Sequence, residues 1–131
     1  LSALAAFNEA LPASPLTERR AGIDHCFSAT TVPEIVARLQ ATDGDWAREA
    51  LDALNHVSPS ALFWTLKALR RGRDLTLKDA LDAEFALTKT TMAHPDFVEG
   101  VRAMVVDKDR KPNWQPASID AVDPASIDAL F

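Results

Sequence analysis

The sequence predicts an all-α fold of about six or seven short helices joined by loops, and three observations carry that prediction. Helix-start signals recur along the chain. Apolar residues repeat near every 3.6 positions between those signals. No segment shows sustained alternation bounded by Asn-Gly or Asp-Gly turns, so hairpins are not expected.

Residues 1–11 (LSALAAFNEAL) read as a first helix, and Ser14-Pro15 then sets a capping hydroxyl before a proline at the first helical position. Thr31-Val32-Pro33-Glu34 has capping-box spacing and opens the stripe Val32, Ile35, Val36, Leu39. After a loop at residues 42–45, Trp46, Ala50, Leu54 and Val57 form a second stripe. Ser58-Pro59 repeats the first device before a helix over residues 60–71, whose stripe is Leu62, Leu66 and Leu69, widened by Phe63. Gly72 stands where a helix ending at Arg71 favours a left-handed residue. Past the loop at residues 71–76, Thr76-Leu77-Lys78-Asp79 repeats the box spacing with Asp where Glu fits better, and Leu77, Leu81, Phe85 and Thr88 form a fourth stripe.

Residues 96–116 are the richest stretch. On a helical reading Phe97, Val98, Val101, Met104 and Val105 share one face, while Glu99, Arg102 and Asp107 point elsewhere. Residues 107–111 then make a solvated, mixed-charge turn, Pro112 stops the helix, and Trp114 is placed to pin an extended tail onto the body. Phe97, Val101 and Trp114 are the expected anchors of this element. Asp123-Pro124 opens one last short helix in the tail. No repeat of about 33 to 47 residues emerges, which leaves a solenoid without support.

At 131 residues, 47% hydrophobic and 25% charged, the chain has ordinary globular values for one domain. A net charge of −5 and a pI near 5.1 argue against nucleic acid as a partner, which demands a clustered basic surface. The lone Cys26 makes no internal disulfide, and no apolar run reaches the ~18 residues of a membrane span. A reducing compartment follows, cytoplasmic or the mitochondrial matrix if the source is eukaryotic. The start at Leu1 without methionine, already in helical pattern, suggests a piece of something longer.

A search for chemistry yields little. His25 and Cys26 are neighbours on a helix, about 100° apart, and do not readily form a thiolate–imidazole pair. His56 belongs to a helix end and His94 to a helix start; three histidines this dispersed make no metal site. Glu84, in a largely apolar helix, is expected to be tied by Arg102 or by a neighbouring helix start. Lys67, Arg70 and Arg71, extended by Arg73, complement a helix dipole, with an anion such as a cofactor phosphate as the lesser reading. Lys108, Arg110 and Lys111 are further phosphate candidates, diluted by Asp107 and Asp109. No GxGxxG, GxxxxGK[ST] or GxSxG is present.

In order, the segments Ile23-Asp24-His25-Cys26-Phe27-Ser28, Thr31-Val32-Pro33-Glu34-Ile35, Ser58-Pro59-Ser60, the run from Asp96 to Ala103 and Asp107-Lys108-Asp109…Lys111-Pro112-Asn113-Trp114 resemble the C-terminal part of the 3-hydroxyisobutyryl-CoA hydrolases. These form a branch of the enoyl-CoA hydratase/isomerase, or crotonase, superfamily. The resemblance divides the chain into leading helices (1–21), a family-matching helical region (22–116) and a tail (117–131), all within one helical C-terminal domain. It implies a thioesterase of valine breakdown whose β/α core, outside this chain, supplies the oxyanion hole and the catalytic carboxylates. No catalytic residue and no metal ligand is therefore assigned here. It further implies, as partners, the family's own core, an acyl-CoA substrate and a second copy in a homo-oligomer. No bound cofactor is implied beyond coenzyme A as part of the substrate. Lys108 matches a lysine that in some relatives approaches the CoA nucleotide, although its aspartate flanks depart from the usual pattern. Two other readings stay open: a free-standing helical module that binds a protein partner, and the hydratase/isomerase branch of the same superfamily.

Overall fold

The computed structural model describes residues 14–131, so the helix expected over residues 1–11 lies outside the described residues. Seven α-helices follow one another among those residues, with no strand: α1 (Pro15–Phe27), α2 (Val32–Gln40), α3 (Asp45–His56), α4 (Pro59–Gly72), α5 (Leu77–Thr91), α6 (Pro95–Val101) and α7 (Pro124–Asp128). A π-helical turn (Arg102–Val106) continues α6, and a 3-10 turn (Ile119–Ala121) precedes α7. The all-α class is as the sequence predicts.

The helix starts are where the caps place them. Ser14 accepts from the Leu16 N–H at 3.3 Å, Ser58 from Ala61 at 3.2 Å, and Thr76 from Asp79 at 3.2 Å. Each bond satisfies one of the amides that a helix leaves unpaired in its first turn. Proline stands in the first turn of α1, α2, α4, α6 and α7, where its missing N–H costs nothing. At α2 the box is displaced: Thr31 accepts from Glu34 as expected, but the Glu34 carboxylate reaches back to the Thr30 N–H at 3.0 Å. That bond, and then the Arg38 guanidinium, hold the Glu34 carboxyl below its ordinary range. Arg38 also donates to the His25 carbonyl at 2.7 Å, so one side chain closes the end of α1 and ties it to α2.

The core is small and lies where α1, α2 and α3 meet: Cys26, Ala29, Ile35, Leu39 and Ala47, flanked by Trp46, Ala50, Leu51, Leu54 and Leu66. Gly22 is essential to that junction, because a Cβ there would lie 2.6 Å from the Trp46 ring. Gly44, at φ 121°, makes the entry to α3 in a conformation that other residues rarely adopt.

Two expectations fail. Gly72 is not a left-handed stop: α4 runs through it, Arg73 is right-handed, and the turn closes by a Leu75 N–H to Gly72 carbonyl bond of 3.3 Å. The stripe Leu77, Leu81, Phe85 and Thr88 does not face the body. Leu77 is 78% exposed and Phe85 65%, and it is Ala80, Ala83 and Leu87, one step round the helix, that line the cleft against α4 and Phe131. Small residues allow the closer approach, so the bulky stripe is left outside.

Replacing the fully buried Leu39 by Ala is expected to cost about 2–5 kcal/mol, while Leu77→Ala should change stability by under roughly 0.5 kcal/mol. Urea unfolding of both variants checks the contrast. Similar losses at both sites would mean that α5 turns its other face inward in solution.

Candidate functional site

Residues 96–116 do form the predicted amphipathic helix, charged turn and extended tail, but the helix is docked by its polar edge. Asp96, only 4% exposed, accepts from the Ser58 hydroxyl and from the Gln115 N–H at 2.8 Å. Glu99, one turn on, accepts the Asn113 N–H at 2.7 Å. Trp114, between them in sequence, lies over Gly100, and its indole N–H donates to the His56 carbonyl at 3.4 Å. The tail is thus held by carboxylates spaced three residues apart, a spacing that puts them on one helix face.

Arg102 organises the rest. Its Nε and Nη2 donate to Glu99 at 2.8 and 2.7 Å, its Nη1 to Asp107 and Asp109 at 2.7 Å each, and its Nη2 also to the Lys111 carbonyl at 3.2 Å. These five bonds account for all five N–H donors of a guanidinium. To reach them the helix loosens into the π turn, where the Asp107 N–H meets the Arg102 carbonyl at 2.8 Å, and the chain reverses through Lys108 (φ 57°) and Arg110 (φ 56°). Left-handed non-glycine residues are uncommon and signal a conformation imposed by their surroundings. The electrostatic result is consistent: Arg102, and then the Asn113 N–H, pull the Glu99 carboxyl from 4.5 down to about 2, Arg102 also depresses Asp109, and the three carboxylates raise Arg102 itself.

With the polar edge inward, the apolar face looks out. Phe97, Val101, Met104 and Val105 border an open groove of about 640 Å³, completed by Val57, Ala61 and Trp64 from the α3–α4 junction and by Pro112 and Trp114. Phe97 and Val101 therefore do not anchor the element, as the periodicity implied; Trp114 does. Polar groups on the groove are few: His56, Ser58, Asp96 and Arg110.

Lys108 is exposed on the turn, outside the groove lining, and makes no hydrogen bond or ion pair among the described residues. Arg110, rather than Lys108, is the cation that reaches the groove. Cys26 is buried against the Thr42 hydroxyl at 3.4 Å, while His25 is exposed. His56 ends α3, its Nδ1 2.7 Å from the Asp52 carbonyl, and His94 caps α6 with its ring edge-on to Trp64. Glu84 is not tied by Arg102, whose donors are all taken nearby; it is exposed beside Arg71 and Phe131. The basic cluster on α4 divides: Lys67 pairs with Asp128 at 2.5 Å, Arg71 donates to the Phe131 carbonyl and both lie over the Phe131 ring, while Arg70 donates to the Ala29 carbonyl between α1 and α2. No group of three or more metal-ligating side chains is assembled among the described residues, and no helix among them is long and apolar enough to cross a membrane.

Residues 1–131 match the family model for enoyl-CoA hydratase/isomerase along their full length. The chain belongs to that family. A curated relative, the mitochondrial 3-hydroxyisobutyryl-CoA hydrolase of Homo sapiens, is 40% identical over 116 residues, covering 88% of this chain and 30% of the relative. Among solved structures, an enoyl-CoA hydratase from Rhodobacter sphaeroides matches with a TM-score of 0.85 and 38% identity, over 98% of this chain and 41% of that one. A carnitinyl-CoA dehydratase from Mycobacterium thermoresistibile matches at 0.89 and 40%, over 99% and 37%. The chain spans about 30% of the length of the curated relatives it matches. For this family member, then, the groove and its charged turn lie on a segment that is a minor part of the related proteins.

A carboxyl whose folded value is depressed stabilises in full above its ordinary value and loses that contribution as pH falls through the folded one. Between pH 4.5 and about 2, acid should therefore loosen the 107–116 tail as Glu99 is protonated, with depressed Asp109 contributing. Near-UV circular dichroism of the tryptophans should show that step, and Glu99→Gln should diminish it. An unchanged step in the variant would place the tail's anchor elsewhere.

Proposed function

We propose that this chain is the helical C-terminal domain, residues 1–131, of a CoA-thioester hydrolase of the 3-hydroxyisobutyryl-CoA type, closing its acyl-CoA site. The β/α core that would hold the catalytic groups lies outside the chain, which is inactive alone. The observation that carries this reading is the outward apolar face of α6 and its π turn. Phe97, Val98, Val101, Met104, Val105 and Val106 are all exposed, on a helix that spends its polar edge on the body. Contiguous exposed apolar surface of this kind marks a binding face. The human relative's name supplies the reaction, hydrolysis of 3-hydroxyisobutyryl-CoA, and the mitochondrial compartment for a eukaryotic source, with the bacterial cytoplasm in its place otherwise; a role in valine breakdown is what the family resemblance implies.

In this reading the groove faces the core and the acyl-CoA, and Lys108 approaches the nucleotide end of CoA. The outward stripe of α5 meets the core or a second copy of the enzyme. The hydratase/isomerase branch is the second reading, favoured by the two solved structures, whose names are a hydratase and a dehydratase.

The test is an assay of CoA-thioester hydrolysis by the chain alone, by a separately made crotonase core, and by the two mixed. Activity should appear, or rise, only in the mixture, and Val101→Asp should abolish the gain while leaving the chain's own stability within roughly 0.5 kcal/mol. Turnover by the chain alone would overturn the proposal. Failure to bind any core would favour a free-standing interaction module, and water addition to an enoyl-CoA by the mixture would favour the hydratase branch.

A further inference from the structure

In sequence, Lys108 is flanked by two carboxylates that oppose any phosphate approaching its ammonium. The fold removes the conflict. Asp107 and Asp109 both turn to Arg102 Nη1, each at 2.7 Å, and Asp109 also takes the Lys111 N–H at 2.9 Å. Lys108 and Arg110, held at φ 57° and 56°, alternate with those aspartates, and their side chains make no hydrogen bond or ion pair among the described residues. Arg102 has no N–H left for a ligand, since Glu99, the two aspartates and the Lys111 carbonyl take all five.

We propose that Arg102 is the positioning residue of this site. By binding both aspartates it turns an acidic loop into one that presents Lys108, with Arg110 at the rim of the apolar groove, to the phosphates of a CoA-type nucleotide. Arg102 itself does not touch the ligand. The inference rests on Lys108 being a nucleotide contact. It adds the reason why an Asp-Lys-Asp sequence serves that role: the guanidinium holds both carboxylates from Nη1 while Nε and Nη2 stay on Glu99 and the Lys111 carbonyl, five bonds that the three donors of a lysine ammonium do not supply.

The test is CoA binding to the 131-residue chain mixed with the separately made crotonase core, at low ionic strength, followed by calorimetric titration. Lys108→Ala and Arg102→Lys should each weaken binding by roughly 5-fold, the size of one exposed charge contact. Adding Asp107→Asn and Asp109→Asn to Arg102→Lys should restore the wild-type affinity, although not the wild-type stability. Wild-type affinity in Arg102→Lys, or no recovery in the triple variant, would overturn the positioning role while leaving Lys108 as a contact. Wild-type affinity in Lys108→Ala, or no CoA binding by the wild type, would instead overturn the nucleotide contact, and the positioning role with it. Because Arg102→Lys also removes structural bonds, NMR on the wild type is a second measure. Added CoA should shift the Lys108 signals and leave the Arg102 Nε–H signal in place. A shift at Arg102 would make it a phosphate ligand and overturn the proposal.

Discussion

The guanidinium of Arg102 is a planar fork with five donors, and in this protein every donor ends on an acceptor from the same thirteen residues of chain, Glu99 to Lys111. Much else around the site is a consequence. The helix must widen into a π turn to bring Asp107 within reach, the backbone must pass through left-handed conformations at Lys108 and Arg110, and Glu99 must face the body. Because Glu99 faces inward, the Asn113 amide finds an acceptor and Trp114 is carried onto Gly100 and the end of α3. Charge-assisted, bidentate bonds are strong enough to set such a geometry where a single neutral bond is not.

The same arrangement decides which surface is free. An amphipathic helix normally buries its apolar stripe, yet here the tail is bound through carboxylates and the stripe is turned outward. α5 does likewise, packing through Ala80, Ala83 and Leu87 and exposing Leu77, Leu81 and Phe85. Among the described residues the core at the α1–α3 junction is small, and much of the exposed apolar surface lies on the outward faces of α5 and α6. The chain spans some 30% of its curated relatives, and on the proposed reading the remainder of such a protein covers these faces.

Much of the fold was legible because helix starts are written locally. Ser14-Pro15, Thr31, Ser58-Pro59, Thr76 and Asp123-Pro124 each act through a bond to an amide two or three residues away, and every one of those starts is found. The stripe of α2 was equally plain, since Val32, Ile35 and Leu39 are buried by direct neighbours. What periodicity alone could not supply was direction. It grouped Leu77 with Phe85, and Phe97 with Val101, but a stripe carries no information about whether the partner lies within the same chain. Arg102 was visible only as a charge pointing away from the apolar face; its acceptors are spread over thirteen residues, Glu99 to Lys111, and converge only when the backbone reverses.

By itself, then, the sequence determined the helical class, the positions of most caps, the tail anchored by Trp114 and the kinship with acyl-CoA enzymes, all of which rest on short-range bonds or on residue order. Tertiary structure alone decided that the charged edge of residues 96–106 is the buried one, that Arg110 rather than Lys108 borders the groove, and that the aspartates beside Lys108 are turned away from it. The physical reason is that a hydrogen-bond fork selects among backbone paths by where all its acceptors can meet at once, and that condition is satisfied in space, not along the chain.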